Sequence, residues 1–268
     1  MPVHHLGPRG TFSEAAAQAF GTDLVPEPSF DALAMAIDGD HVGVLPYYNL
    51  LEGLVQEPID LIFERRLHVN GAVRVPVTFA AGGEGEPIRS HPKALAQCSD
   101  WIAGRRTEAA ASTADAAKLA ATAGGTALAA RPALEAAGLP VTHDDVGNRR
   151  GGRANFTDFL LVADQPGTLR PGDYRTLLAI TPAEERPGLL ADLLAQFAFH
   201  RLNIAKIHSR PAFGTTDESD GIEPQMFYLE VMCRPDAEPF VRCTEAIRWH
   251  FRTSTDAVRL LGGWPALT

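Results

Sequence analysis

Short apolar runs alternate with amphipathic stretches through the first two thirds of the chain, a rhythm that predicts an α/β domain. Val3 to Leu6 reads as a strand that stops at Gly7-Pro-Arg-Gly10, and Thr11 or Ser13 opens a helix from Glu14 to Phe20. Ser29 caps a second helix, Phe30 to Asp38, and His41 to Leu45 is a buried strand followed by the polar, aromatic loop Pro46-Tyr-Tyr-Asn-Leu-Leu-Glu-Gly53. Val55 to Phe63 and the strand-like Leu67 to Ala81 add apolar segments. Ser90 to Ile102 has helical spacing with Pro92 in its first turn. Ser112 and Thr113 cap an alanine-rich helix through Ala123, which Gly124 and Gly125 end. A strand (Thr126 to Ala130), a helix (Pro132 to Ala137) and an edge segment (Leu139 to His143) follow. The stretch Gly151 to Ala163 then places a loop before a buried strand, Phe159 to Ala163.

From Ala163 to Tyr174 the composition is that of a linker, with Pro166, Gly167, Pro171 and Gly172. Beyond it the pattern reads strand Arg175 to Thr181, amphipathic helix Pro187 to Phe199, strands Asn203 to Ser209 and Gln225 to Cys233, helix Ala237 to Phe251 and strand Val258 to Gly262. An acidic insertion, Thr215 to Glu223, separates the two middle strands. The order βαββαβ predicts a ferredoxin-like sandwich. The expected division is residues 1–166 and 174–264.

Net charge narrows the partners. The 268 residues carry a formal charge of −9, and no Lys/Arg cluster has interleaved aromatics, which argues against nucleic acid. No apolar run is long enough to span a bilayer. Met1-Pro-Val-His-His-Leu6 lacks the basic-then-apolar order of a secretion signal, so a cytoplasmic protein is expected. Cys98, Cys233 and Cys243 are scattered without metal-ligand spacing, so no metal site and reduced, mostly buried thiols are expected. No glycine-rich phosphate loop is present, and no nucleotide cofactor is expected.

Candidate chemistry gathers at five places. Asn155, Thr157 and Asp158 stand at the mouth of the Phe159 strand, where a rigid element holds polar groups still; a simple turn or cap is the plainer reading of Thr157 and Asp158. The Gly7 to Ser13 turn directs backbone N–H groups and hydroxyls to one spot, as an anion site or an ordinary helix cap. Tyr47, Tyr48 and Asn49 follow a strand, where ligands of open α/β sheets sit. Arg149, Arg150 and Arg153 supply positive charge for an acidic substrate or a solvated loop. His91 begins a helix, as a base or as a cap.

Several of these stretches together resemble the prephenate dehydratase family along nearly the whole chain. Gly7-Pro-Arg-Gly-Thr-Phe-Ser13 looks like its Gly-Pro-x-Gly-Thr-Phe-Ser opening; Ser90-His-Pro-Lys-Ala-Leu-Ala-Gln-Cys98 and Ser112-Thr-Ala-Asp-Ala-Ala117 match two further segments. Asn155-Phe-Thr-Asp-Phe159 stands where the family has Asn-x-Thr-Arg-Phe. Arg186-Pro-Gly-Leu-Leu190 and Asn203-Ile-Ala-Lys-Ile-His-Ser-Arg-Pro211 resemble the two motifs of a phenylalanine-binding ACT regulatory domain. The resemblance implies a two-lobed, periplasmic-binding-protein-like α/β catalytic domain and a ferredoxin-like ACT domain, with prephenate as substrate, no cofactor, and a homodimer or tetramer. It places substrate beside Thr11, Ser13, Leu50, Ser112, Thr113, Asn155, Phe159, Arg149 and Arg153, with Asn49, Thr157, Asp158 and Tyr48 as catalytic candidates. It assigns an amino-acid effector such as phenylalanine to Pro187, Gly188, Leu189, Leu190, Asn203, His208, Ser209 and Arg210.

The departures from the pattern steer the expected reaction. Where the family reads Pro-x-Glu-Asn-Ser-x-x-Gly, Tyr48 replaces the Glu and Leu50 the Ser, while Asn49 is kept. Asp158 replaces the Arg that the family uses for a substrate carboxylate, a charge reversal on the order of several kcal/mol at a few ångströms. His208 replaces a Glu in the ACT motif, which puts phenylalanine inhibition in question. A weakened dehydratase constellation points to the related prephenate decarboxylases of secondary metabolism, which expel carbon dioxide and keep the ring hydroxyl, giving dihydro-4-hydroxyphenylpyruvate. In that reading an arginine of the Arg149 to Arg153 loop holds the pyruvyl carboxylate, and Tyr48, Leu50, Leu54 and Phe159 form an apolar wall. An ordinary dehydratase giving phenylpyruvate, with a nearby arginine in compensation, is the alternative. A non-catalytic amino-acid sensor is the third.

Overall fold

Parallel pairing of the first apolar run organises the larger of two units. In a computed structural model of the chain, which describes residues 1–149, 152, 154–183, 185–212, 225–251 and 257–267, Met1–Leu61 with Val73–Leu161 form one compact unit, and Ile62–Ala72 with Val162–Thr268 the other. The second unit thus takes in residues 62–72, where the sequence pattern suggests an unbroken span 1–166.

In the first unit β1 (Val3–Leu6) lies between α1 (Phe12–Ala17), β2 (Leu24–Glu27), α2 (Phe30–Met35) and β3 (Val42–Asn49), pairing in parallel with both strands. Helical connections between parallel strands follow from the alternation of apolar runs with amphipathic stretches. A short hairpin joins β3 to β4 (Gly53–Leu54), and α3 (Gln56–Glu64) leads into β5 (His68–Pro76), which enters this unit at Val73.

A second sheet of the same unit contains β6 (Ala80–Glu84), β7 (Ile88–Ser90), β8 (Thr107–Ala109), β9 (Gly125–Ala129) and β10 (Val141–His143), in the order β10-β6-β9-β7-β8. Around it lie α4 (Pro92–Gln97), α5 (Ser99–Ile102), α6 (Thr113–Ala123) and α7 (Arg131–Ala136). Its core is built from small side chains: Ala80, Ala116, Ala117, Ala127 and Ala129 pack around Leu134. Close approach of helix and sheet replaces bulk here. On the other side Val77, Phe79, Ile88, Cys98 and Leu128 pack together, and burial pushes the Cys98 thiol up to about 12. The chain returns through β11 (Phe156–Ala163), which lies beside β3.

In the second unit β12 (Tyr174–Ile180), α8 (Leu189–Phe199), β13 (Ile204–Pro211), β14 (Gln225–Val231), α9 (Glu238–His250) and β15 (Val258–Pro265) give the βαββαβ order and a sheet β13-β14-β12-β15. Alternate residues of that sheet (Leu178, Ile180, Phe227, Leu229) meet Leu193 and Phe197 of α8 and Phe240, Cys243 and Ile247 of α9. Among the described residues no helix is long and apolar enough to cross a membrane.

Three of the boundaries that differ from those expected bear on the site. The segment after Leu45 continues as strand to Asn49, because Tyr47 and Asn49 are buried and Pro46 and Tyr48 half-buried, a period-2 pattern that polar atoms hide in the sequence. Likewise β11 starts at Phe156, so Thr157 and Asp158 lie inside a strand rather than in a loop. The stretch Ser90 to Ile102 divides into the end of β7 and two helices that meet at Cys98.

Glycine geometry gives a stability test. Gly262 has φ 131°, and a Cβ there would stand 2.2 Å from the Val69 carbonyl oxygen; Gly39 has φ 60° and nothing within 4 Å of its Cβ position. Gly39→Ala is expected to cost about 1 kcal/mol from backbone strain alone. Gly262→Ala should cost about 3 kcal/mol or more, because the β15–β5 pairing must shift as well. Chemical denaturation of the two variants checks the difference.

Candidate active site

Asn49, at the end of β3, is the point from which the site is built. Its side-chain oxygen accepts the backbone N–H groups of Leu51 (2.9 Å) and Glu52 (3.1 Å), closing the turn into β4. Two donors at one end fix the carboxamide, so its nitrogen faces β11. There Nδ2 donates to the Phe156 carbonyl (3.1 Å) and to Thr157 Oγ1 (2.9 Å). Both Asn49 and Thr157 are buried. With its oxygen already accepting from Asn49, the Thr157 hydroxyl has its own hydrogen to give.

Asp158 faces the opposite side of β11 and is not an uncompensated charge. Arg74 of β5 donates to it through Nε (2.7 Å) and Nη2 (3.0 Å), a two-bond fork, and the guanidinium stacks on the Phe156 ring with its carbon 3.8 Å from the centroid. Asp158 is 4% exposed. The reversed charge expected at Asp158 is thus met by a cation of the same unit. Arg74 is missed by sequence reading; its one signal is a cation inside the apolar run Val73-Arg-Val75.

Asn155, two residues before Thr157, donates through Nδ2 to Gln97 Oε1 (3.0 Å). Gln97 Nε2 donates to Glu52 Oε1 (2.6 Å), and Lys93 Nζ to Glu52 Oε2 (3.1 Å). The network ties the β3–β4 hairpin of the first sheet to α4 beside the second. Glu52, Lys93 and Gln97 lie within recognised motifs, but nothing in their spacing announces that they meet.

Other expected residues have other employment. Thr11 caps α1 by accepting the Glu14 N–H (3.3 Å), and Glu14 Oε2 accepts the Gly10 N–H (2.6 Å). Glu14 thus takes one backbone donor of the Gly7 to Ser13 turn, in the manner of a capping box; Ser13 is buried in that helix. Ser112 caps α6 through the Asp115 N–H (3.0 Å) and also meets the Asp115 carboxylate (2.8 Å), with Thr113 the first helical residue. His91 caps α4 by accepting the Lys93 N–H (3.3 Å). Leu50 donates its N–H to the Phe156 carbonyl, and half-buried Tyr48 pairs with Leu54 across the hairpin. Phe159 is 2% exposed, among the buried apolar residues. Arg149 pairs with Asp145 at an exposed surface; Arg150 and Arg153 lie outside the described residues.

In the second unit Pro187 and Gly188 precede α8, Gly188 with φ 83°, a left-handed conformation that favours glycine. Leu189 is buried and Leu190 exposed. Asn203 donates to the Met232 sulfur (2.8 Å). His208, Ser209 and Arg210 lie on β13, and the His208 Nε2 is buried with no hydrogen-bond partner among the described residues.

The Arg74–Asp158 pair generates a double-substitution test. Arg74→Ala leaves a buried carboxylate without its partner and is expected to destabilise by about 2–3 kcal/mol, discounted for the exposure of the arginine. Arg74→Ala with Asp158→Asn should recover at least half of that loss in denaturant unfolding.

The sequence profile of the prephenate dehydratase family matches residues 3–167. "Arogenate dehydratase 2" of Petunia hybrida is 32% identical, over 99% of this chain and 72% of its own length. The prephenate dehydratase of Mycobacterium bovis is 30% identical, over 98% of this chain and 86% of its own. Among solved structures, prephenate dehydratase of Arthrobacter aurescens in complex with L-Phe is 26% identical, with a TM-score of 0.82 over 99% of this chain and 90% of that one. Prephenate dehydratase of Staphylococcus aureus, 23% identical over 98% of this chain and 100% of its own, shares the fold with a TM-score of 0.81. The chain belongs to the prephenate dehydratase family.

Proposed function

We propose that the protein is a dehydratase of prephenate or of its aminated counterpart arogenate, releasing carbon dioxide and water and leaving an aromatic ring. The observation that carries the proposal is the Thr157 hydroxyl, whose oxygen accepts Asn49 Nδ2 at 2.9 Å while the other end of Asn49 is held by two backbone donors. That arrangement presents a hydrogen to a leaving oxygen. The bond from the ring to its carboxylate breaks, and the electron pair enters the ring. The ring C–O bond breaks in turn, and the departing oxygen takes a proton and leaves as water. No net oxidation occurs, so the balance needs no cofactor. The pairing of Asp158 with Arg74 removes the charge argument that favoured decarboxylation.

Leu50, standing where the family has a hydroxyl, supports a second reading. In it carbon dioxide leaves, a ring carbon takes a proton, and the hydroxyl stays. The family relatives named for dehydration support the first reading.

For the second unit we propose an ACT-like regulatory role over 174–264, with residues 1–166 as the catalytic span and a homodimer or tetramer as the assembly. The Pro187 to Leu190 turn and the Asn203 to Arg210 strand would hold an amino acid such as phenylalanine. Binding of an amino acid without turnover of either substrate would instead favour the sensor.

Incubation with prephenate and with arogenate, followed by ultraviolet absorbance and mass, decides the reaction. Phenylpyruvate or phenylalanine is the expected product; a dihydro-hydroxyphenylpyruvate establishes decarboxylation in its place. Thr157→Val is expected to lower kcat by about 100-fold or more, as loss of a proton-donating group does. Asn49→Ala should lower it by about tenfold, because the hydroxyl loses orientation but persists.

A further inference from the structure

Resting on the dehydratase reading, we infer that Glu52 is a positioning residue whose carboxylate sets the hydrogen-bond direction of a two-amide relay, so that Asn155 presents a carbonyl acceptor to the ring hydroxyl of the substrate. A carboxamide has two ends of nearly equal size and opposite polarity, and its neighbours decide which end faces where. Both neighbours of the Glu52 carboxylate are donors: Gln97 Nε2 at 2.6 Å and Lys93 Nζ at 3.1 Å. Gln97 must therefore turn its nitrogen to Glu52 and its oxygen to Asn155. Asn155 answers with Nδ2 at 3.0 Å. What remains at the end of the relay is Asn155 Oδ1, an acceptor.

That oxygen is buried and has no hydrogen-bond partner among the described residues, on a side chain 5% exposed. A buried acceptor without a donor is costly, and a ligand donor relieves the cost. Asn155 stands two residues before Thr157, and residues two apart in an extended chain face the same side. One side of the chain thus offers a hydrogen, from Thr157, and an acceptor, from Asn155. A hydroxyl is the group that uses both: its oxygen accepts from Thr157 and its hydrogen points to Asn155. In prephenate the carboxylates and the ketone only accept, so the ring hydroxyl is the donor that fits. Held by its hydrogen, that oxygen keeps a lone pair turned toward Thr157 as its bond to the ring lengthens. A site built this way rejects an analogue without the O–H group.

The relay predicts a rescue that a structural role for Glu52 does not. In Asn155→Asp the side chain can no longer donate to Gln97, which then stands between two carboxylates with one carbonyl that must face one of them. Adding Glu52→Gln supplies a donor to the Gln97 oxygen, lets the Gln97 nitrogen turn to residue 155, and leaves an acceptor for the substrate. Expected values of kcat/KM for prephenate are a loss of about 100-fold in Asn155→Asp and recovery of about tenfold in Glu52→Gln/Asn155→Asp. Glu52→Ala/Asn155→Asp removes the same charge without supplying the donor and should show no recovery. Equal recovery in both double variants, or none in either, overturns the inference. An enzyme that turns over no prephenate sinks the dehydratase reading, and the relay is then read without turnover. In protein labelled with nitrogen-15 on side-chain amides, Glu52→Gln should shift or split the Asn155 and Gln97 signals. Unchanged signals overturn the inference.

Discussion

The carboxamide of Asn49 is the constraint on which the site depends. Its oxygen serves a turn, its nitrogen serves the neighbouring strand, and neither end can exchange with the other. Turn geometry is therefore transmitted to a hydroxyl on β11 through one planar group. An Asp in its place could accept from the turn but not donate to Thr157. An Ala would leave the turn and the hydroxyl both unserved. Thr157 acquires direction from the backbone of Leu51 and Glu52 rather than from another titratable group.

Charge in the first unit is handled by local pairing. Asp158 is met by Arg74, Glu52 by Lys93, Arg149 by Asp145. In a chain with formal charge −9, the carboxylates of Asp158 and Glu52 thereby each face a cation. The pair with one buried member, Asp158, and the more exposed pairs differ in consequence. Breaking the first leaves a desolvated ion, whereas breaking the others exposes charges to water. The Arg74–Asp158 fork also means that the reversed charge at position 158 comes with a cation beside it.

The second unit keeps its alternation more openly. Its helices cover one face of an antiparallel sheet with large aliphatic and aromatic residues. The second sheet of the first unit instead packs alanines, so its stability depends on close approach.

The α/β alternation of the first unit, the βαββαβ tail, the Ser112 and Ser29 caps and the motifs that carry the family resemblance were legible in the sequence, because each depends on neighbours within a few positions; short strands such as β2, β7 and β8 were not. Asn49 and Thr157 were singled out there as well, but as members of motifs, with no statement of which atom faces which. What the tertiary structure decided is partnership across the chain. Asn49 and Thr157 are 108 residues apart in sequence, and Arg74 and Asp158 are 84 apart. No local pattern reports such distances, and so the Arg74 partner of Asp158 and the Glu52–Gln97–Asn155 relay went unseen. The same limit applies at Thr11: sequence gives the donors at a helix start, but only the fold shows that Glu14 turns back to accept one of them, the Gly10 N–H.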